Sequence, residues 1–321
     1  MSQIKHIVTV SLNTAIDLTI EVPNFTLNEH QHGRRVARIP SGKGLNVSRA
    51  LAVLGQANTV MGFVGDNDYA FYDTFLSSDA HRLVTNSLIQ VCGRTRENIT
   101  LMDPVNHTDT HIREQGFTVT RDDLDAMAQA IADVSSPETI VCFCGSVPLG
   151  CTAEDFARLV DVAIDRGAKV AIDANGDPLL AVYKKPVWLL KPNLLELEQI
   201  LGRGVQGEDD LMRAIQGLAQ IHDAVIVTRG AEGALYCDSD QVISSVTRPG
   251  DIRVAHSIGC GDCVLAGFID GYVRGESASE ALARGLATAT ANLTVVENAT
   301  FSRELVAEFE ACTETTDVSS R

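Results

Sequence analysis

Basic residues are scarce in this chain: 26 Lys and Arg stand against 42 Asp and Glu in 321 residues, a formal net charge of −16. That deficit excludes a general nucleic-acid coat and an anionic-membrane binder, because both need a basic surface. It leaves room for a small anionic substrate held by a few local cations. Long apolar runs are missing too, and none approaches the ~18 residues of a membrane helix. The opening MSQIKHIVTVSLN has a short apolar run and no signal-peptide cleavage region, so it is expected to be a first strand. Cysteines number only eight, too sparse for a disulfide scaffold. Internal repeats and low-complexity linkers are absent as well. A reduced, cytoplasmic, soluble protein is the expectation.

What is present is an ordinary globular composition, 45% hydrophobic and 21% charged, which excludes global disorder. At roughly 150 residues per domain the length predicts two domains or one large α/β unit, with a full core and no need of staples. Short apolar runs at 139–145, 168–173, 187–190 and 224–228 alternate with helical patterns such as 44–54 and 152–166. Runs of that kind suit parallel strands buried on both faces of an open sheet. Thr120 and Thr152 open helices, the second with Asp155 completing a capping box. Residues 16–22, 33–39, 87–93, 97–103 and 108–113 read as strands without intervening helices. They predict a small antiparallel sheet inserted at about 14–39 and 87–115, with an apolar face that a site or a partner must cover. The tail after about 312 is polar and expected to fray.

Four segments carry the chemistry. In HSIGCGDCVLAGFIDGY (256–272), Gly259, Cys260 and Gly261 let several backbone N–H groups face one anion at a helix start. Asp262 beside that hole either handles a proton or caps the helix. In PSGKGLNVSRAL (40–51), Gly42, Lys43 and Gly44 open a helix with a cation next to an anion site, a weak signal alone and not a Walker A loop. In KPNLLELEQILG (191–202), Asn193 and Glu196 are spaced either to hold the waters of Mg²⁺ or to form a capping box. In TRGAEGAL (228–235), the two glycines make a tight turn or a backbone phosphate contact. His107, Asp109 and His111 alternate as a metal face would, though a polar strand edge has the same look. Cys260 and Cys263 have a redox spacing, and a helix N-terminus lowers a thiol pKa, so Cys260 is expected to be reactive.

These segments in this order resemble the PfkB (ribokinase-like) carbohydrate kinases, from the first strand to about residue 300. SLNTAIDLT (11–19), GRTREN (93–98), CGSVPLG (144–150) and DANG (173–176) share in the resemblance, which is nearest to the family's phosphosugar branch. The resemblance implies an α/β, ribokinase-like three-layer sandwich over 1–321, with a mostly parallel sheet and an inserted β lid. It implies ATP and Mg²⁺ as cofactors and a phosphohexose as acceptor. Fructose 1-phosphate stands first, with tagatose 6-phosphate and fructose 6-phosphate as alternatives. An unphosphorylated sugar, or a non-catalytic sugar-phosphate regulator, is a weaker implication. Asp262 would be the base, and the backbone of Gly259, Cys260 and Gly261 would hold the transferring group. Asp17, Gly42, Lys43 and Asn46 would bind sugar, and Arg94 the substrate phosphate. Lys191, Thr228, Gly230 and Gly233 would lie on the ATP side, with Asn193 and Glu196 organising Mg²⁺. The lid would also make a homodimer. An arginine-rich lid (Arg34, Arg35, Arg38, Arg94, Arg96, Arg113) in an acidic chain agrees with a phosphorylated acceptor, since arginine grips phosphate bidentately.

Overall fold

The computed structural model describes residues 4–319 of the chain. In chain order its strands and helices are β1 (His6–Ser11), β2 (Ala15–Glu21), β3 (Arg34–Ser41), α1 (Lys43–Leu54), β4 (Asn58–Gly65), α2 (Tyr69–Leu76), β5 (Val84–Val91), β6 (Arg96–Asp103), β7 (Thr108–Arg113), α3 (Arg121–Val134), β8 (Thr139–Gly145), α4 (Ala153–Asp165), β9 (Lys169–Ala174), α5 (Gly176–Val182), β10 (Leu189–Leu190), α6 (Leu194–Leu201), α7 (Gly207–Ala219), β11 (Ala224–Thr228), β12 (Ala234–Cys237), β13 (Val242–Thr247), α8 (Cys260–Arg274), α9 (Ala278–Leu293), α10 (Arg303–Glu310) and β14 (Thr313–Asp317).

Ten strands form one sheet in the order β14-β13-β12-β11-β10-β9-β8-β1-β4-β5. The run from β5 to β11 is parallel, and β12, β13 and β14 are antiparallel. Strand alternation sorts the core. In β8, Val141 and Phe143 join α3 to α7 on one face, while Ile140, Cys142 and Cys144 join α1, α8, α9 and α10 on the other. Capping boxes start α3 (Thr120 with Asp123) and α4 (Thr152 with Asp155). The one tryptophan of the chain, Trp188, packs against Tyr272 with ring centres 4.6 Å apart and planes tilted by 54°, and the Lys169 ammonium is 5.8 Å from its ring.

The inserted sheet has four strands in the order β3-β2-β6-β7. Two expectations change here. Of the expected 87–93 strand, 87–91 belong instead to β5, at the edge of the main sheet beside β4, and none enters the inserted sheet. The inserted sheet is mixed and not antiparallel, because β2 and β6 run parallel while β2–β3 and β6–β7 are antiparallel. The tail also departs from expectation: Thr313–Asp317 pairs with β13 as an edge strand. Hydroxyls join the two, Thr247 to Thr313 and Ser245 to Thr315, each at 2.9 Å. The last two residues of the expected frayed tail lie outside the described residues.

From β1 the chain passes to β4 and β5 on one side, then crosses to β8 and onward on the other. The crevice beyond the carboxyl ends of strands at such a reversal is where open α/β sheets hold ligands. The amino ends of α1 and α8 and the last residues of β9 converge there.

Candidate active site

Gly259 caps α8 in the left-handed region, with φ of 76°. A side chain at this position would overlap the Asn298 amide, so glycine satisfies both the conformation and the space. The turn leaves first-turn amides of α8 without intrahelical partners and directed out of the helix end. Asp262 sits in that turn, 4% exposed, and its Oδ2 accepts a hydrogen bond from Asn46 Nδ2 at 2.9 Å. Burial, reinforced by nearby Asp173, raises its pKa to about 6 against the pull of Lys43, the Asn46 bond and Lys191. A carboxylate at that value is poised to take a proton near neutral pH.

The opposite wall is α1. Gly42 precedes it with φ of 135°, and a β-carbon there would lie 2.7 Å from Ser11 Oγ. The tight start aims Lys43 across the cleft, where its Nζ donates to Asp173 Oδ1 at 3.0 Å and lies 3.9 Å from Glu196 Oε1. Lys191 Nζ meets the other oxygen, Asp173 Oδ2, also at 3.0 Å. A β-carbon on Gly261 would be 3.6 Å from Lys191 Nζ, so this ammonium faces the α8 N-terminus. Burial disfavours the Asp173 charge, but Lys191 and Lys43 together hold it below the usual carboxylate range. For Lys43 the desolvation cost is outweighed by Asp173, Asp262 and Glu196, and its pKa rises. Asp173 is the residue that sequence reasoning passed over. Its signal was there: an acidic residue closing an apolar strand, in DANG, has no place in a core unless cations meet it.

Asn193 and Glu196 do form the capping box of α6, with Asn193 Oδ1 accepting from Glu196 N at 2.9 Å and Glu196 Oε2 from Asn193 N at 2.8 Å. Glu196 Oε1 is left toward Lys43. Thr228 lies beside Asn193, its N–H donating to the Pro192 carbonyl at 3.1 Å. Gly230 and Gly233 are in the turn that follows, where a β-carbon on Gly233 would strike the Ser245 carbonyl.

Register decides which lid residues face the cleft. Ala15 pairs with Arg96, Asp17 with Asn98, and Asn98 with Arg113. Period two therefore puts Asp17, Arg96, Asn98 and Arg113 on one face. Asn98 Nδ2 donates to Asp17 Oδ1 at 2.8 Å, and Arg96 Nη2 donates to the Asn13 carbonyl at 3.1 Å. Burial and the neighbouring Arg113 push the Arg96 pKa down, with Asp17 opposing. Arg94 stands apart, exposed on a cavity of about 210 Å³ that Arg38, Asp68, Thr95, Glu97 and Glu114 also line.

A sequence model described as "pfkB family carbohydrate kinase" matches residues 5–304. The chain belongs to this family. It is an ATP-dependent carbohydrate kinase, and similar curated proteins are 1-phosphofructokinases. The one from Rhodobacter capsulatus is 33% identical over 282 residues, covering 86% of each chain. That of Escherichia coli (strain K12) is 30% identical, covering 92% of each. Among solved structures, a putative phosphofructokinase from Staphylococcus aureus superposes with a TM-score of 0.82 at 26% identity, over 98% of this chain and 100% of that one.

In this carbohydrate kinase the structure places two further features of the sequence. Cys260 is half-buried, its Sγ 3.6 Å from the Ala289 carbonyl oxygen, and burial pushes its thiol up to about 11. Cys263 is fully buried, and all eight cysteines are free. His107 lies in the turn before β7 with φ of 54° and not on the strand, and no group of three or more potential metal ligands occurs among the described residues. No helix among them is long and apolar enough to cross a membrane.

Proposed function

We propose that this kinase transfers the γ-phosphoryl group of ATP to the C6 hydroxyl of fructose 1-phosphate, giving fructose 1,6-bisphosphate and ADP. The carrying observation is the polar lid face. Arg96 and Arg113 approach each other beside a single Asp17, an excess of positive charge over a cleft in an acidic protein. A phosphate on the acceptor balances it, and the names of the curated relatives favour the fructose ester. Arg96, held by backbone carbonyls, is the phosphate contact of this proposal, with Arg94 left to the rim.

Asp262 accepts the C6 hydroxyl proton as the oxygen–phosphorus bond forms and the bond to the ADP oxygen breaks. The α8 amides and Lys191 stabilise charge on the transferring group, and Lys43 lies between the two substrates. A buried base has no use in a non-catalytic regulator, which favours the kinase reading over that alternative. Gly42 and Asn46 bound the sugar side; Thr228, Gly230 and Gly233 bound the nucleotide side. Oxygen donors suit Mg²⁺, and with Asn193 Oδ1 committed to the helix cap the fit is through water on Glu196 Oε1. The ion would neutralise phosphate charge. The opposite lid face aligns Leu18, Ile99 and Ile112 beside the Arg38–Glu97 ion pair and is half open; a second copy of the chain is the proposed cover. Eight free thiols agree with a cytoplasmic location.

A coupled ADP assay over fructose 1-phosphate, fructose 6-phosphate, tagatose 6-phosphate, free fructose and ribose tests the proposal. Fructose 1-phosphate should give the highest kcat/KM, at least about a hundredfold above free fructose, from two charge-assisted phosphate contacts. Comparable turnover of free sugar would overturn it.

A further inference from the structure

Helix α1 carries a second polar side chain one turn beyond Asn46. Arg49 is 3% exposed, and its Nη2 donates to Glu297 Oε1 at 2.6 Å. Its Nε donates to His81 Nε2 at 3.2 Å, and its guanidinium carbon lies 5.1 Å from the centre of the Phe75 ring. A guanidinium so buried requires its carboxylate partner, because the cost of desolvating it is otherwise uncompensated. Glu297 is 38% exposed and belongs to the loop between α9 and α10.

That loop meets the catalytic turn at two points. The amide of Asn298, the residue after Glu297, lies directly on Gly259. One residue further, Ala299 N donates to Asn292 Oδ1 at 2.8 Å, and Asn292 Nδ2 donates to the Ile258 carbonyl at 3.0 Å. Asn292 is fully buried. The loop thus supports Ile258 and Gly259, the two residues that set where the α8 amides and Asp262 point.

We propose that Arg49 and Glu297 are positioning residues for phosphoryl transfer: their ion pair ties α1 to the 294–299 loop, and the loop fixes the turn at Gly259. This rests on reading the α8 N-terminus as the phosphoryl site. Neither side chain touches a reacting atom. With Asn46 on Asp262 and Arg49 on the loop behind Gly259, α1 locates the base and the anion hole from one rigid element.

Glu297→Gln keeps the shape of a partly exposed side chain and an oxygen that can accept from Arg49 while removing the charge, the milder of the two ways to break the pair. The expected result is a fall in kcat of about tenfold or more, with KM for phosphosugar and ATP within about twofold. Amide hydrogen exchange should quicken in 257–262 and stay unchanged in α1. Arg49→Lys should recover part of the kcat that Arg49→Met loses, and the double variant Arg49→Met/Glu297→Gln should be no worse than Arg49→Met. Wild-type kcat with unchanged exchange in Glu297→Gln overturns the proposal, as do additive losses in the double variant. Should Arg49→Met fail to fold, the Glu297→Gln kcat and exchange decide. Asp262→Asn is measured alongside. If it keeps activity, the reading of the α8 N-terminus fails; if it is inactive while Glu297→Gln matches wild type, only the positioning pair fails.

Discussion

The two sides of the cleft hold their polar groups in different ways. On the body side the charges are buried and already partnered, with Asp262 4%, Asp173 1% and Lys191 3% exposed. On the lid side Asp17, Arg96 and Asn98 are half-buried and Arg113 is exposed. Fixed dipoles and charges in a dry site need no reorganisation when charge moves, which is what the chemical step requires. Groups that select an acceptor gain from staying hydrated until it arrives, since only then are their desolvation costs offset by new contacts. Under the proposed function, the difference means that chemistry is built into the main sheet and choice of acceptor into the insert.

The strongest test of that division is Asp262→Asn. It keeps size and the bond to Asn46 but cannot take a proton, so kcat should fall about 10²- to 10⁴-fold. Calorimetry should find both substrates bound within a few-fold of wild type. The wild-type rate should also rise with pH through about 6, because Asp262 is protonated and inert below that value and free to accept above it. The variant should lack this limb. A kcat above a tenth of wild type would reduce Asp262 to a helix cap.

A smaller effect, confined to the lid, sharpens the comparison. Arg96→Met keeps the stem and removes the charge. It should raise KM for the phosphosugar about tenfold or more and leave KM for ATP unchanged, as expected for lost binding that is uniform in ground and transition states. Arg94→Met should change either value by less than about threefold. The reverse pattern would move the phosphate to the rim cavity beside Arg38.

The least effect is expected from Cys260→Ala, with kcat within about twofold of wild type, because in the proposed mechanism the backbone, which alanine keeps, and not the sulfur serves the phosphoryl group. Thiol reagents should label exposed Cys92 and Cys312 well before Cys260, whose buried thiol stays protonated at neutral pH. Rapid labelling of Cys260 that ATP blocks would show that the helix end wins over burial.

Much of the main sheet was legible because burial on both faces writes itself as continuous apolar runs: residues 139–145 and 224–228 are strands with those same limits. Edge strands are not written that way. VTNSLIQV mixes polar and apolar residues because β5 is a partly exposed edge strand, and a strand of a small insert looks the same. In TETTD polarity concealed an edge strand whose β-branched threonines were the clue. The motifs picked out Asp262, Lys43 and Asn46, which the fold brings together, since glycine-rich helix starts are local features. The family resemblance puts the phosphate contact at Arg94 and not Arg96; two residues apart they share parity, and only the start of β6 at Arg96, opposite Ala15 of β2, separates them, which is a tertiary fact.

Trp188 gives the molecule an optical property of its own. Its packing partner Tyr272 lies in the last turn of α8, about 18 Å along the axis from the N-terminus at 1.5 Å per residue. The sole indole therefore gauges how α8 seats on the sheet. Its native emission offers a folding signal for every variant above. For a separate signal of binding, β7, exposed along its whole length, offers the place to attach a probe.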